Sequence, residues 1–255
     1  MMCSLPALRR RILSLAEVDY DRCQYDADFG GPELLADAFT TVISVPVQAD
    51  VLAHVPELQE LDNAGLLLPG RLLIRSPFDR RCYVAANEAW QHFAVAKYNA
   101  IALLCQVLGA NSLEITEFHK GEDSKTAAVA AGFPGKAKVE IAGEIRKQVT
   151  ESLTMNYRWA GGEPDVNTAR AVLNDTGLGA DPAVRRLADQ RELVGNTLRS
   201  YELTTDLLAE ATREISFALE LLPSMKKLKL SGNFDLDIES VRSLSLRTSM
   251  KMSFP

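Results

Sequence analysis

Apolar and polar residues alternate along the chain from Ala137 to Trp159 with few exceptions. The apolar row includes Val139, Ile145 and Val149, and charged or hydroxylated side chains fill most of the positions between them. A period of two predicts a β-strand with one face towards the core and one towards water. Because ordinary strands have only about 5–6 residues, we expect either one long curved strand or two strands joined without a strong turn.

A second long pattern begins at Asp181 and Pro182, which are a typical N-cap and first residue of a helix. Apolar residues then recur at seven-residue spacing, and no further proline appears before Pro223. This pattern predicts one long helix over residues 181–222, although Gly195 could break it. The apolar row consists of Leu187, Val194, Tyr201, Leu208, Ile215 and Leu222.

Shorter patterns complete the set of predicted elements. Helices are expected over residues 5–17, 51–64, 85–108 and 165–175, and strands over residues 40–47, 112–118 and 244–254, with a hairpin within 71–84. Residues 226–238 fit one strand and a hairpin with a turn centred on Asn233 equally well. The resulting fold class is α+β, with a long, twisted, mostly antiparallel sheet. Helices, including the one at 181–222, would cover one of its faces. We expect a single domain over residues 1–255, with a possible subdivision into 1–118 and 137–255.

The composition narrows the functional classes. The chain has 255 residues, 47% of them hydrophobic, and a net charge of −6, which is typical of a folded protein and makes nucleic acid an unlikely partner. No apolar run is long enough for a membrane-spanning helix, and arginines interrupt the N-terminal apolar stretch where a secretory signal would need an unbroken one. Four cysteines without a CxxC pair indicate reduced thiols and a cytoplasmic location.

No recognised motif for catalysis or cofactor binding is present. The histidines His54, His92 and His119 lack metal-ligand spacing. The glycine-containing stretches Gly132–Lys136 and Gly177–Asp181 lack residues that a phosphate-binding or dinucleotide-binding loop requires. We therefore expect no metal and no cofactor, and the sequence leaves any catalytic residues unknown.

Function is predicted from shape rather than from chemistry. The first hypothesis is a non-catalytic interaction or assembly protein, in which the heptad-like row binds a protein partner or a second copy of the chain. The alternative use of the same row is packing along the protein's own sheet. The interface residues predicted by the first hypothesis are Leu187, Val194, Leu208 and Ile215.

Two further hypotheses remain open. In one, the protein acts on membranes, because amphipathic strands can line a pore in lipid and a basic N-terminal helix can lie on an anionic surface. Its candidate membrane contacts are Cys3, Arg9, Arg10, Arg11, Ile145 and Val149. In the other, the protein is an enzyme whose site is assembled from residues dispersed along the chain.

Overall fold

The computed structural model describes residues 10–25, 35–119, 136–153, 156–193, 198–219 and 245–255. The chain divides into two compact units, each drawn from three stretches of sequence. Unit 1 comprises Met1–Ser76, Arg81–Ala89 and Glu214–Ile238, and unit 2 comprises Pro77–Arg80, Trp90–Arg213 and Glu239–Pro255. The single-domain organisation expected from the sequence stays a prediction.

Unit 1 is built on a four-stranded sheet with the order β2-β1-β3-β4. Its strands are β1 (Arg11–Ala16), β2 (Thr40–Val45), β3 (Leu72–Arg75) and β4 (Tyr83–Ala85), and its helices include α1 (Glu17–Tyr25), α2 (Ala49–His54) and α3 (Pro56–Asn63). β1 and β2 are parallel, whereas β1–β3 and β3–β4 are antiparallel. The β3–β4 pair confirms the predicted hairpin.

The helix predicted over residues 5–17 is wrong for its described part, because Arg11–Ala16 forms the inner strand β1. Ile12, Leu13 and Leu15 are all fully buried. A strand enclosed on both faces has a continuous apolar run rather than an alternating one, and such a run resembles part of a helix when it is short. Residues 5–9 lie outside the described part of the chain.

Unit 2 is built on an antiparallel sheet with the order β6-β5-β8-β7. Its strands are β5 (Ser112–His119), β6 (Tyr157–Arg158), β7 (Ser200–Asp206) and β8 (Arg247–Ser253). The helices that follow α3 are α4 (Ala89–Val107), α5 (Lys136–Ser152), α6 (Val166–Asp175), α7 (Pro182–Glu192) and α8 (Ala209–Leu219). The predictions of a helix within 85–108 and of strands within 112–118 and 244–254 are confirmed, whereas residues 226–238 lie outside the described part.

The long strand predicted over residues 137–159 is wrong, because Lys136–Ser152 is helical and only Tyr157–Arg158 is a strand. Val149 and Leu153 are buried and Ile145 is half-buried. Residues four positions apart share a face in a helix and also in a strand, so this spacing fits both structures. Lysine, glutamate and glutamine occupy many positions between them, and these residues favour a helix over a strand.

The single helix predicted over residues 181–222 is also wrong. α7 ends at Glu192, the strand β7 occupies Ser200–Asp206, and α8 begins at Ala209. The segment between the two helices contains a tyrosine and two threonines, which favour a strand. The fold is therefore α+β as expected, but it has two sheets of short strands in place of one long sheet. No helix in the described residues is long and apolar enough to span a bilayer.

Candidate binding pocket around Lys97

An open pocket of about 450 Å³ lies in unit 2, where α4, α7, β7 and α8 meet. Five of its lining residues carry charge: Lys97, Asp181, Arg186, Asp206 and Glu210. The remaining lining residues are small or hydroxylated, namely Ala180, Pro182, Ala183, Thr204, Thr205 and Ala209. We call the five charged residues the charged floor of the pocket and the six smaller residues its walls.

Lys97 forms the centre of the charged floor. Its side chain is only 1% exposed. The Nζ atom donates to the carbonyl oxygen of Asp206 at 2.8 Å and to both carboxylate oxygens of Glu210 at 3.1 and 3.0 Å, and it lies 3.1 Å from Asp181 Oδ2. An ammonium group has three hydrogens to donate, and these three residues accept them. The cost of burying the charge is thus offset by two carboxylates and a carbonyl.

Asp181 connects Lys97 to the start of α7. Its Oδ1 atom accepts the amide hydrogens of Ala183 and Val184 at 3.0 and 3.3 Å, as an N-cap does, while Oδ2 accepts the Thr205 hydroxyl at 2.6 Å. Burial alone would raise the pKa of Asp181. The hydrogen bond from Thr205 and the charge of Lys97 outweigh burial, so the pKa lies below its usual value.

Asp206 fixes the chain at two points, just before α8 and just before β8. Its Oδ1 atom accepts the amide hydrogens of Leu208 and Leu246 at 2.9 and 3.0 Å, and Oδ2 accepts the Ser245 hydroxyl at 2.6 Å. One aspartate thus holds the turn that precedes α8 and also the chain that leads into β8. Like the carboxylate of Asp181, that of Asp206 is already engaged at both oxygens.

Glu210 and Arg186 differ from the other charged residues of the pocket. Within the described part of the chain, the Glu210 carboxylate has Lys97 as its one hydrogen-bond partner, and its side chain is 19% exposed. Arg186 is exposed and makes no hydrogen bond or ion pair with any described residue. These two side chains retain the capacity to bind something else.

Most charged groups of the pocket are engaged with one another and with the backbone. A nucleophilic amine needs a free lone pair, but the nitrogen of Lys97 donates all of its hydrogens as an ammonium. Asp181 and Asp206 accept hydrogen bonds at both oxygens from other residues of unit 2. No group of residues suited to hold a metal ion occurs among the described residues. His54 and His92 are exposed, and the His119 side chain lies outside the described part.

The residues predicted to form an interface do not lie in one row on one helix. Leu187 lies on α7, Leu208 lies just before α8, and Ile215 lies on α8; all three are fully buried. Val194 lies outside the described part of the chain. A partner protein could not contact the side chains of Leu187, Leu208 or Ile215 in this conformation.

The residues predicted to contact a membrane are dispersed. Cys3 and Arg9 lie outside the described part. In unit 1, Arg10 is largely exposed, whereas Arg11 is buried and donates to the carbonyl oxygen of Phe217 at 2.6 Å. In unit 2, Ile145 is half-buried and Val149 is fully buried on α5.

Sequence reasoning missed Lys97, although the sequence carries a signal for it. Phe93 and Ile101 lie four positions on either side of Lys97 in α4, and both are fully buried. A single lysine on the apolar stripe of a helix requires buried acceptors, which marks it as unusual.

No protein-family model, curated protein or solved structure matches the chain, so the proposal for its function depends on this geometry.

Proposed function

We propose that this chain is a non-catalytic binding protein and that the pocket around Lys97 holds its ligand. The observation that carries the proposal is the pocket itself. Its volume of about 450 Å³ falls within the range of roughly 300–1,000 Å³ that is usual for ligand sites, and charged groups from four elements converge on it.

The bonding of the floor supports a role in binding. Lys97, Asp181 and Asp206 make their hydrogen bonds to other residues of unit 2, so they hold α4, α7, β7 and α8 in fixed positions. A rigid floor of this kind reduces the entropy that is lost when a ligand binds. The two groups with spare capacity, Glu210 and Arg186, then face the ligand.

Blocking the pocket tests the proposal. Ala209 is exposed at the start of α8 and lines the pocket, so Ala209→Trp would place an indole in its space. Ala171 is exposed on α6 and does not line the pocket, so Ala171→Trp is the matched control. The melting temperature of each protein would be measured across a library of small polar molecules.

We expect at least one compound to raise the melting temperature of the unchanged protein and of Ala171→Trp but not of Ala209→Trp, because a ligand stabilises the state that binds it. Two results would contradict the proposal: no compound shifts the melting temperature, or Ala209→Trp responds as the control does. If a bound compound were converted to a product, the protein would be an enzyme and the non-catalytic part of the proposal would be wrong.

A second candidate function is association with a protein partner through unit 1. Phe39 is 53% exposed and Phe217 is 48% exposed. The guanidinium carbons of Arg10 and Arg11 lie 5.9 and 6.0 Å from the centre of the Phe39 ring, and Arg11 also bonds the Phe217 carbonyl oxygen. Aromatic residues and arginine are enriched in protein interfaces, so this Phe39–Phe217 surface supports the proposal.

Gel filtration with light scattering, with and without anionic liposomes, separates the remaining possibilities. Self-association through the Phe39–Phe217 surface predicts an oligomer that Phe39→Ser dissociates and that Leu68→Ser, a change at another exposed apolar residue of unit 1, leaves intact. An oligomer that forms only with liposomes would favour action on a membrane instead. A monomer under both conditions would exclude self-association.

We also propose a reducing compartment, such as the cytoplasm, for this protein. Among the described residues, Cys23 and Cys105 are buried free thiols. Free thiols are typical of proteins that remain in a reducing environment.

A further inference from the structure

We infer that the ligand of the Lys97 pocket is a free amino acid, bound through its ammonium group by Glu210 and through its carboxylate by Arg186. This inference rests on the proposed function, because it requires that the pocket binds a small molecule. It follows from two charged side chains with hydrogen-bonding capacity to spare among the described residues: Glu210, which Lys97 engages only in part, and Arg186, which has no partner there.

Glu210 is the group that would bind the ammonium. A carboxylate has about four acceptor sites, and Lys97 occupies only part of them. Lys97 is also shared between Glu210 and Asp181, so one ammonium faces two carboxylates and the floor carries an excess negative charge. A ligand that covered Glu210 without supplying a donor would bury this charge, whereas a protonated amine would pair with it.

Arg186 is the group that would bind the carboxylate. Arg186 lines the pocket, is exposed, and has no partner among the described residues. A guanidinium can donate two parallel hydrogen bonds to a carboxylate, which is a specific and favourable geometry. A purely cationic ligand would leave Arg186 unpaired.

The overall charge of the pocket selects against a purely anionic ligand. Lys97 and Arg186 are basic, and Asp181, Asp206 and Glu210 are acidic, so the lining has one negative charge in excess. Inorganic phosphate or a simple carboxylic acid would therefore be repelled by the floor. A zwitterion carries both charges, so we expect one end of it to pair with Glu210 and the other with Arg186.

The walls fit a small ligand with a variable side chain. Ala180, Pro182, Ala183 and Ala209 have little bulk, and the volume of about 450 Å³ leaves room for a side chain beside the two charged groups. These walls offer few polar groups beyond Thr204 and Thr205. We therefore expect a preference for amino acids with apolar side chains.

Calorimetric titration with free L-amino acids tests the inference. For the tightest-binding amino acid, its N-acetyl derivative lacks the ammonium and its amide lacks the carboxylate. We expect each derivative to bind at least tenfold more weakly than the parent, because each leaves one charged side chain of the pocket without its partner. Equal binding of the parent and either derivative would overturn the inference.

Two variants assign the contacts. Arg186→Gln should weaken binding of the amino acid at least tenfold and should no longer distinguish it from the amide. Arg185→Gln is the control, because Arg185 is the exposed neighbour on α7 and does not line this pocket. Glu210→Gln should remove the distinction between the amino acid and its N-acetyl derivative. If Glu210→Gln fails to fold, the Arg186 variant and the two derivatives still decide the question.

The two levels of the proposal can fail separately. If another class of compound binds and Ala209→Trp abolishes that binding, but no free amino acid binds, the pocket is a ligand site and the inference about its ligand is wrong. If Arg185→Gln weakens amino-acid binding as much as Arg186→Gln does, the assignment to this pocket is also wrong. If nothing binds, both the inference and the proposed function fail.

Discussion

Lys97 shows how one residue can determine the local structure of unit 2. It is buried on the apolar stripe of α4, and its acceptors come from the start of α7, the end of β7 and the first turn of α8. A buried charge contributes little net stability when it is paired, but leaving its partners unpaired is costly. The cluster therefore acts mainly by specifying how these elements are placed.

Lys97→Met should lower the free energy of unfolding by about 3–5 kcal/mol, because it leaves the carboxylates of Asp181 and Glu210 without their shared cation. Arg170→Met is the control: Arg170 forms an exposed ion pair with Glu192 at 2.8 Å, and exposed pairs contribute much less to stability than buried ones. Urea unfolding followed by circular dichroism measures both. An equal loss of unfolding free energy in the two variants would show that the buried cluster contributes no more to stability than the exposed ion pair does.

The lowered pKa of Asp181 predicts an acid-sensitive contribution to stability. A carboxyl group whose pKa is lower in the folded state than in the unfolded state, where it is about 3.9, binds more protons when unfolded. Its contribution is therefore present above about pH 4 and is lost as the pH falls towards the lowered pKa. Asp181→Asn keeps an N-cap side chain but removes this titration.

The Asp181→Asn protein should consequently be less stable at pH 7, and its stability should fall less steeply than that of the unchanged protein between about pH 5 and pH 3. Urea unfolding at a series of pH values measures the two slopes. Parallel slopes would mean that Asp181 does not contribute to the acid sensitivity.

At the scale of elements, sequence patterns succeeded where one structure alone fits the spacing. The stripe on α4, the N-cap at Asp181 and the β3–β4 hairpin were all predictable. The segment 137–159 was not, because the spacing of Ile145, Val149 and Leu153 fits a helix and a strand equally well. Residue composition between these positions was the better guide.

The site was less predictable than the fold. Lys97 could be noticed from its position on an apolar stripe, and Asp181 from its role as an N-cap. Their relation to Asp206 and Glu210 could not, because the pocket forms only when β7 and α8 pack beside α4. That packing depends on the strand β7, and the heptad-like spacing predicted a helix at these positions instead.

The helical state of α5 can be tested at Lys147, which is exposed and lies in the interior of the helix. In a helix, Lys147→Gly should be less stable than Lys147→Ala by about 1 kcal/mol, and Lys147→Val should also be less stable than Lys147→Ala. In a strand, valine would be preferred to alanine. Thermal unfolding of the three variants therefore distinguishes the two structures, and a Lys147→Val protein more stable than Lys147→Ala would contradict the helix.

At the scale of the whole molecule, the structure places residues of the heptad-like row differently from what their spacing predicted. Leu187, Leu208 and Ile215 are fully buried, although they belong to separate elements. Apolar side chains that are buried within one chain supply its own folding energy rather than the energy of association. The Phe39–Phe217 surface, which is exposed, is the better candidate for contact with another protein.

Two substitutions on α8 test this distinction. Ile215→Asp would bury an unpaired carboxylate, which costs several kcal/mol of a total stability of about 5–15 kcal/mol, so we expect an unfolded or aggregated protein. Phe217→Asp places the same group at an exposed position two residues away on the same helix, so the protein should remain folded and any oligomer should be weakened. Far-ultraviolet circular dichroism and light scattering measure folding and mass together. A folded monomer from Ile215→Asp, in a protein that is otherwise oligomeric, would restore the heptad-like row as the interface.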